Sequence, residues 1–277
     1  MQILCIESQH QQPSRSLIFS DTLHKIDLSG YEESLRFYTT NKSVNVFREL
    51  INNLDIKTAL FTLLGSGDFH HLSYVLLERI KEPFNLIVFD NHTDCSFMPP
   101  RFHCGNWLYT AAQLSLCKKI LHIGATNGYY WFDRLFGLNQ LIRKKHFIAF
   151  SAQDVQSQGM KGYQNALQQI DSDLPIYISI DKDVFSAQEV DTDWDQGILK
   201  INDFFEMLAL LTQYRIIGAD ISGERTEPVH YKSFIKRTMS HWEHPTLRAI
   251  EDDNRLKPNE LNQRIMETLG VKLNDGA

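Results

Sequence analysis

Cysteine is scarce in this chain. Cys5, Cys95, Cys104 and Cys117 are the only four, spread over 277 residues without a CxxC pair. That is too few for a disulfide scaffold, and they read as reduced thiols. Long apolar runs are also missing: no stretch approaches the roughly 20 apolar residues that span a bilayer. The opening MQILCIESQHQQ has neither the basic segment nor the apolar core of a secretory signal. These features lead us to expect a soluble, cytoplasmic protein with no membrane partner. Positive charge is not in excess either, since the net charge is −6 and the Lys and Arg residues are scattered. No electrostatic footprint for nucleic acid follows, and a small-molecule substrate is the expected partner. Internal repeats, low-complexity tracts and Pro/Gly/Ser-rich linkers are lacking, so one domain is expected over residues 1–277. Its last stretch, about 251–277, is polar enough to be a surface helix or tail.

What is present is a 43% hydrophobic chain, enough for a substantial core. Apolar runs rich in β-branched and aromatic residues predict buried strands at Ala59–Leu64, Leu86–Phe89, Ile120–Ile123, His146–Phe150, Ile176–Ile180 and Arg215–Ala219. Between them lie helical stretches at Ser73–Ile80, Asn106–Leu116 and Asp203–Leu211, the last preceded by Asn202 as a possible cap. Such alternation implies a mainly parallel sheet covered on both faces, a three-layer α/β/α sandwich. In open sheets of this kind the ligand crevice lies beyond the carboxyl ends of the strands, so polar residues just after each apolar run carry the functional argument.

After Leu86–Phe89 comes Asp90-Asn91-His92-Thr93-Asp94. Residues two apart in an extended chain project to one side, so Asp90, His92 and Asp94 converge. Carboxylates and a neutral imidazole suit a divalent cation; a hydrogen-bonded loop with helix-capping aspartates is the alternative for this string taken alone. After Ile176–Ile180 the pattern recurs as Asp181-Lys182-Asp183. Two carboxylates this close repel, so a metal or a basic cluster is needed beside them, and Lys182 points away by alternation. After Ala59–Leu64 the chain reads Gly65-Ser66-Gly67-Asp68-Phe69-His70-His71, a glycine-rich turn leading into a helix, where either His could face the same centre.

These three segments, in this order and spacing, resemble the arginase/deacetylase superfamily, specifically the ureohydrolase branch of arginase and agmatinase. That branch has a Gly-Gly-Asp-His-Ser turn, an Asp-Ala-His-x-Asp strand end and a Ser-x-Asp-x-Asp strand end, which together bind two manganese ions. The counterparts are Gly67–His71, Asp90–Asp94 and Ser179–Asp183, within a resemblance running from about Thr58 to Pro228. His71-Leu72-Ser73-Tyr74 falls on the family's Ser-Ile-Thr-Tyr run, which puts His70 on the ligand position. The resemblance implies one metal held by His70, Asp94 and Asp183 or nearby groups, and the other by Asp90, His92 and Asp181. It implies Mn²⁺, two ions, with Zn²⁺ as the alternative because the superfamily's deacetylases keep a single zinc. It further implies cleavage of a linear C–N bond of a guanidino or amidino compound by a metal-bridging hydroxide held by Asp94, and a possible homo-oligomer. His103 resembles the His of a His-Gly element that assists catalysis, although Cys104-Gly105 follows it.

Substrate-facing elements depart from the branch. The segment Cys95–Phe102 is shorter than the arginase loop that binds the amino-acid end of the substrate. The acidic run Asp191–Gly197 replaces a Gly-Thr-Pro-rich loop and reads more simply as solvated than as extra ligands, with selection of a cationic substrate as the other reading. The family's Asp-x-x-Glu element, whose Glu pairs with guanidinium, is matched by Asp220-Ile221-Ser222-Gly223-Glu224, so Glu224 fits only with a one-residue shift. Glu227 and an ordinary surface salt bridge are the other readings of that cluster. Two rival functions follow: a deacetylase-like amidohydrolase acting on an acylated amine, and a non-catalytic metal-binding protein. His241-Trp242-Glu243-His244 imitates a metal spacing and is given a structural role, and Cys95 and Cys104 show no adjacent base that would make either a nucleophile.

Overall fold

The computed structural model describes residues 2–11, 23–56, 60–96, 102–135, 138–144, 146–226, 229–244 and 257–270. Its strands are β1 (Gln2–Glu7), β2 (Leu23–Asp27), β3 (Tyr38–Thr39), β4 (Leu60–Leu63), β5 (Phe84–Phe89), β6 (Phe102–His103), β7 (Cys117–Ile123), β8 (Phe147–Phe150), β9 (Ile176–Asp181) and β10 (Ile216–Ser222). The helices are α1 (Glu32–Leu35), α2 (Asn41–Asn52), α3 (Ser73–Leu77), α4 (Trp107–Ala111), α5 (Asn127–Leu135), α6 (Leu138–Arg143), α7 (Ala152–Leu167), α8 (Ile201–Leu211), α9 (Phe234–Glu243) and α10 (Pro258–Thr268).

Eight strands form one sheet in the order β2-β1-β4-β10-β9-β5-β7-β8, every pair parallel. Strands such as Phe84–Phe89, buried at every position, belong in a sheet covered on both sides. Alternate residues feed two cores. Ile87 and Phe89 of β5 join Leu121, Ile178 and Ile221 in the core under α7, α8 and α10. Leu86 and Val88 face the other way, into the core under α2, α3 and α4. The three-layer α/β/α sandwich expected from the sequence is therefore the fold. The late strands β9 and β10 insert between β4 and β5, so the four central strands present their carboxyl ends side by side. That is the crevice position of an open parallel sheet.

Local expectations need several corrections. Strands β1 and β2 and helices α2 and α7 were not expected; Ile3-Leu4-Cys5-Ile6, wholly buried, is the signal for β1. The helix beginning at Ile201 is preceded by Lys200 with no side-chain cap, so Asn202 lies inside it. The long helix expected at Asn106–Leu116 is the single short helix α4, and Ser73–Ile80 shortens to α3. Of the two expectations for the C-terminal stretch, its described residues 257–270 form a helix. Helix α10 puts Leu261, Ile265 and Met266 into the first core at 0% exposure, because its apolar residues recur at helical spacing on one face. Glu227, Pro228 and residues 97–101 lie outside the described residues.

Candidate metal centre

Each ligand candidate sits where a central strand ends. Beyond β5, the His92 backbone N–H donates to Asp90 Oδ1 at 2.6 Å, folding the Asp-x-His-x-Asp turn on itself. Asp94 takes φ +47°, a left-handed conformation that costs a non-glycine residue roughly 1 kcal/mol or more and gathers at functional sites. Its Oδ2 accepts from Trp107 Nε1–H at 2.6 Å. Beyond β9, the Asp183 backbone N–H donates to Asp181 Oδ1, and Ser222 of the neighbouring β10 donates its hydroxyl to Asp181 Oδ2. The Asn91 backbone N–H reaches Asp183 Oδ1 at 3.1 Å, which ties the two strand ends together.

Of the two adjacent imidazoles, His70 faces the carboxylates. Its Nδ1 lies 3.3 Å from Asp90, 3.5 Å from Asp94 and 3.2 Å from Asp181. Its Nε2 meets Ser179 Oγ at 3.0 Å, and Ser179 hands its own proton to Asp220 Oδ1. The serine oxygen therefore accepts from Nε2–H, which leaves the Nδ1 lone pair for the centre. His71 turns away, edge-on to Phe102, with neither ring nitrogen hydrogen-bonded. Burial holds it neutral, its pKa pushed down to about 3. His92 Nδ1 lies 2.9 Å from Asp183 Oδ2 and 3.6 Å from Asp90 Oδ1, while its Nε2 meets Asp195 Oδ1 at 2.8 Å.

Two overlapping sets of ligand atoms result, His70–Asp90–Asp94 and Asp90–His92–Asp183, each drawn within 4.8 Å. Asp90 is common to both. The proximities differ from the expected grouping: Asp183 lies against His92 because β9 continues past the sheet as a tight 3-10 turn over 182–184, and Asp181, in neither group, lies 3.2 Å from His70 Nδ1. Electrostatics fit a divalent cation. Burial raises the pKa of Asp94, Asp181 and Asp183. Burial opposes charge on His70, but the Asp90 hydrogen bond and the surrounding carboxylates outweigh it and push the imidazole up to about 10. The cluster thus draws protons toward a concentration of negative charge that a metal would neutralise, with Asp90 buried at its middle.

A cavity of about 320 Å³ opens onto this cluster, walled by His103, Cys104, Tyr129, Phe132, Trp194 and Met239. His103 lies on it, its ring accepting the Asn106 backbone N–H. Cys104 lines it too, whereas Cys95 is sealed below with its thiol pushed well up by burial. Glu224 is not among the cavity's lining residues. It accepts from Lys182 Nζ at 3.0 Å and from Asn262 Nδ2 at 2.7 Å, buried between the sheet and α10. Its expected role as a substrate anchor is corrected accordingly. A side chain at position 223 has no room either, since a Cβ there would stand 2.2 Å from Asp181 Oδ1.

The acidic run is tied down except at Asp195, whose side chain is 48% exposed. Asp191 pairs with Arg225, Asp193 accepts from Thr226, and Trp194 is buried with its Nε1–H donated to Asp68 Oδ1. His244 donates Nε2–H to the same Asp68 oxygen at 2.9 Å and His241 is exposed, so the His-Trp-Glu-His spacing serves structure. Sequence reasoning missed Asp68 as a hub, held also by Arg36 and Tyr231; its place in the glycine-rich turn was the available signal. It missed Asp133, whose carboxylate accepts from Thr93 and the Cys95 backbone at the cavity edge, because nothing local marks that helix position. His122 was missed as well: it stacks on Phe147 and bonds the His92 carbonyl from below at 2.7 Å.

Comparison with known proteins places this geometry. The model of the Arginase family matches residues 23–223. An uncharacterized protein of Thermotoga maritima is 30% identical over 219 residues, covering 73% of this chain and 79% of that protein. Among solved structures, the proclavaminate amidino hydrolase of Streptomyces clavuligerus superposes with a TM-score of 0.64 at 12% identity, covering 98% of this chain and 90% of that one. The Trypanosoma cruzi formiminoglutamase with Mn²⁺ gives a TM-score of 0.60 at 10% identity, with 97% and 92% covered. At such identities these likenesses concern the fold.

Proposed function

This chain belongs to the arginase family, and from that premise we propose that it is a binuclear-metal hydrolase cleaving a linear C–N bond of a guanidino or amidino compound. The observation that carries the reading is the pair of ligand sets sharing Asp90 at the floor of an accessible cavity. Carboxylate-rich ligation favours a hard ion such as Mn²⁺ over a thiolate-seeking one. When bound, the metals supply Lewis acidity and lower the pKa of a water molecule.

The chain's own residues do the remainder. Asp94, clamped by Trp107, directs its carboxylate into the cavity, where it orients the attacking water. His103 on the wall protonates the departing amine, since an imidazole exchanges protons near neutral pH. Trp194, Tyr129 and Phe132 supply aromatic surface along the wall against which a cationic group can pack. Purified protein should contain divalent metal by elemental analysis and release urea or ammonia from guanidino or amidino compounds, with turnover abolished in Asp181→Ala. Protein that takes up no Mn²⁺ or other divalent ion in calorimetry sinks the proposal.

One observation favours a second reading. With Gly223 hard against Asp181, Glu224 committed to Lys182 and Asp220 to Ser73, Tyr177 and Ser179, the described residues of β10 and the turn after it offer no free carboxylate for a guanidinium. An acylated amine needs none, so acetate release from acetylpolyamines without urea formation from any guanidino compound would select a deacetylase-like amidohydrolase instead.

A further inference from the structure

Asp195 stands outside both ligand sets, yet it is the one acid of its loop turned toward the centre. Asp191 and Asp193 are engaged with Arg225 and Thr226. Asp195 instead places Oδ1 2.8 Å from His92 Nε2 and accepts the Tyr129 hydroxyl on Oδ2 at 2.8 Å. Asn91 Nδ2 donates to its backbone carbonyl at 3.0 Å and to Oδ2 at 3.3 Å. The loop that carries it is pinned at both sides. Trp194 is buried before it, and Gly197 follows so closely against Val184 that a Cβ would lie 2.5 Å from the Val184 carbonyl oxygen. The Gly197 backbone N–H donates to the Asp183 carbonyl at 2.6 Å, which fixes the loop to the same turn that carries a ligand.

We propose that Asp195 is the positioning residue for His92. Accepting from Nε2–H, it selects the tautomer whose Nδ1 lone pair points at Asp90 and Asp183, and it makes that nitrogen a better donor to a metal. Its second oxygen holds Tyr129, whose ring meets His92 edge-on at 4.9 Å. One carboxylate thereby ties a wall of the substrate cavity to a ligand of the Asp90–His92–Asp183 set. His70 obtains the equivalent support through Ser179 and Asp220, so loss of Asp195 weakens one set and spares the other.

The inference rests on the two-metal reading above, and one experiment separates the two. Metal-free wild type, Asp195→Asn and Asp195→Ser are each titrated with Mn²⁺ alone by calorimetry, and the bound ions are read by electron paramagnetic resonance. Circular dichroism checks folding. Wild type should take up two ions and show an exchange-coupled pair. The variants should keep the affinity of one ion and lose roughly 10- to 100-fold in that of the other, with an uncoupled Mn²⁺ signal at one equivalent. Equal affinities for both ions in wild type and a folded variant overturn the role of Asp195. So does failure of both variants to fold, which would make Asp195 a loop brace. No uptake by wild type rejects the metal reading itself.

Discussion

Gly223 stands where the backbone has little room. Its φ of +84° is costly for any L side chain, and an added Cβ would also stand 2.6 Å from the Lys182 nitrogen. Gly223→Ala should cost at least about 2 kcal/mol in urea unfolding and weaken Mn²⁺ uptake by displacing Asp181. Unchanged stability and uptake would show the turn to be pliable. His122 sets a pH dependence. Burial lowers its pKa to about 4, below the unfolded value near 6.5. Because the folded pKa is depressed, the unfolded chain takes up the proton first. The contribution of His122 to stability is complete above about pH 6.5 and is lost as pH falls toward 4, by about 1.4 kcal/mol per unit. Metal-free His122→Gln should therefore lose stability less steeply than metal-free wild type between pH 6 and 4, measured by chemical denaturation at each pH. Parallel slopes would refute this.

At the scale of elements, one buried ion pair lies between the sheet and α10. Lys182, wholly buried in the turn after β9, donates to Glu224, and the same carboxylate oxygen accepts from Asn262 of α10. Removing one partner of such a pair strands the other charge at a cost of roughly 3–5 kcal/mol, whereas an apolar replacement of both is far cheaper. Glu224→Ala should show that loss in urea denaturation, and Lys182→Met with Glu224→Leu should recover most of it. A Glu224→Ala protein of normal stability but raised KM would return Glu224 to the substrate. The same segment shows where pattern reading runs out. Apolar runs announced the buried strands because a two-sided sheet leaves no polar face. The stretch that holds α10 reads as a surface helix or tail because most of its residues are polar, while Leu261, Ile265 and Met266 of the helix meet the core.

For the whole molecule, a metal that binds the folded chain and not the unfolded one stabilises it by mass action. Mn²⁺ at 100 times its dissociation constant should add about 2.7 kcal/mol per site, which for a domain of this size raises Tm by several degrees. Differential scanning fluorimetry with Mn²⁺ and with chelator checks it, and coincident melting curves would contradict a site built across four strands. Taken by itself, the sequence determined the alternation that yields a parallel sandwich and the residue types at the ends of β5 and β9. These follow from periodicity and from the strand-end rule, both of which are local. It determined that His70 or His71 faces the centre, without deciding between them from the residues alone. Tertiary structure decided the rest. Asp183 pairs with His92 because a turn swings it across β9. Glu224 meets Lys182 and Asn262 because α10 brings Asn262 to it, 38 residues away in sequence. Asp195 reaches His92 across 103 residues. No local pattern encodes which partner a side chain meets at such separations, since packing of the whole chain chooses it.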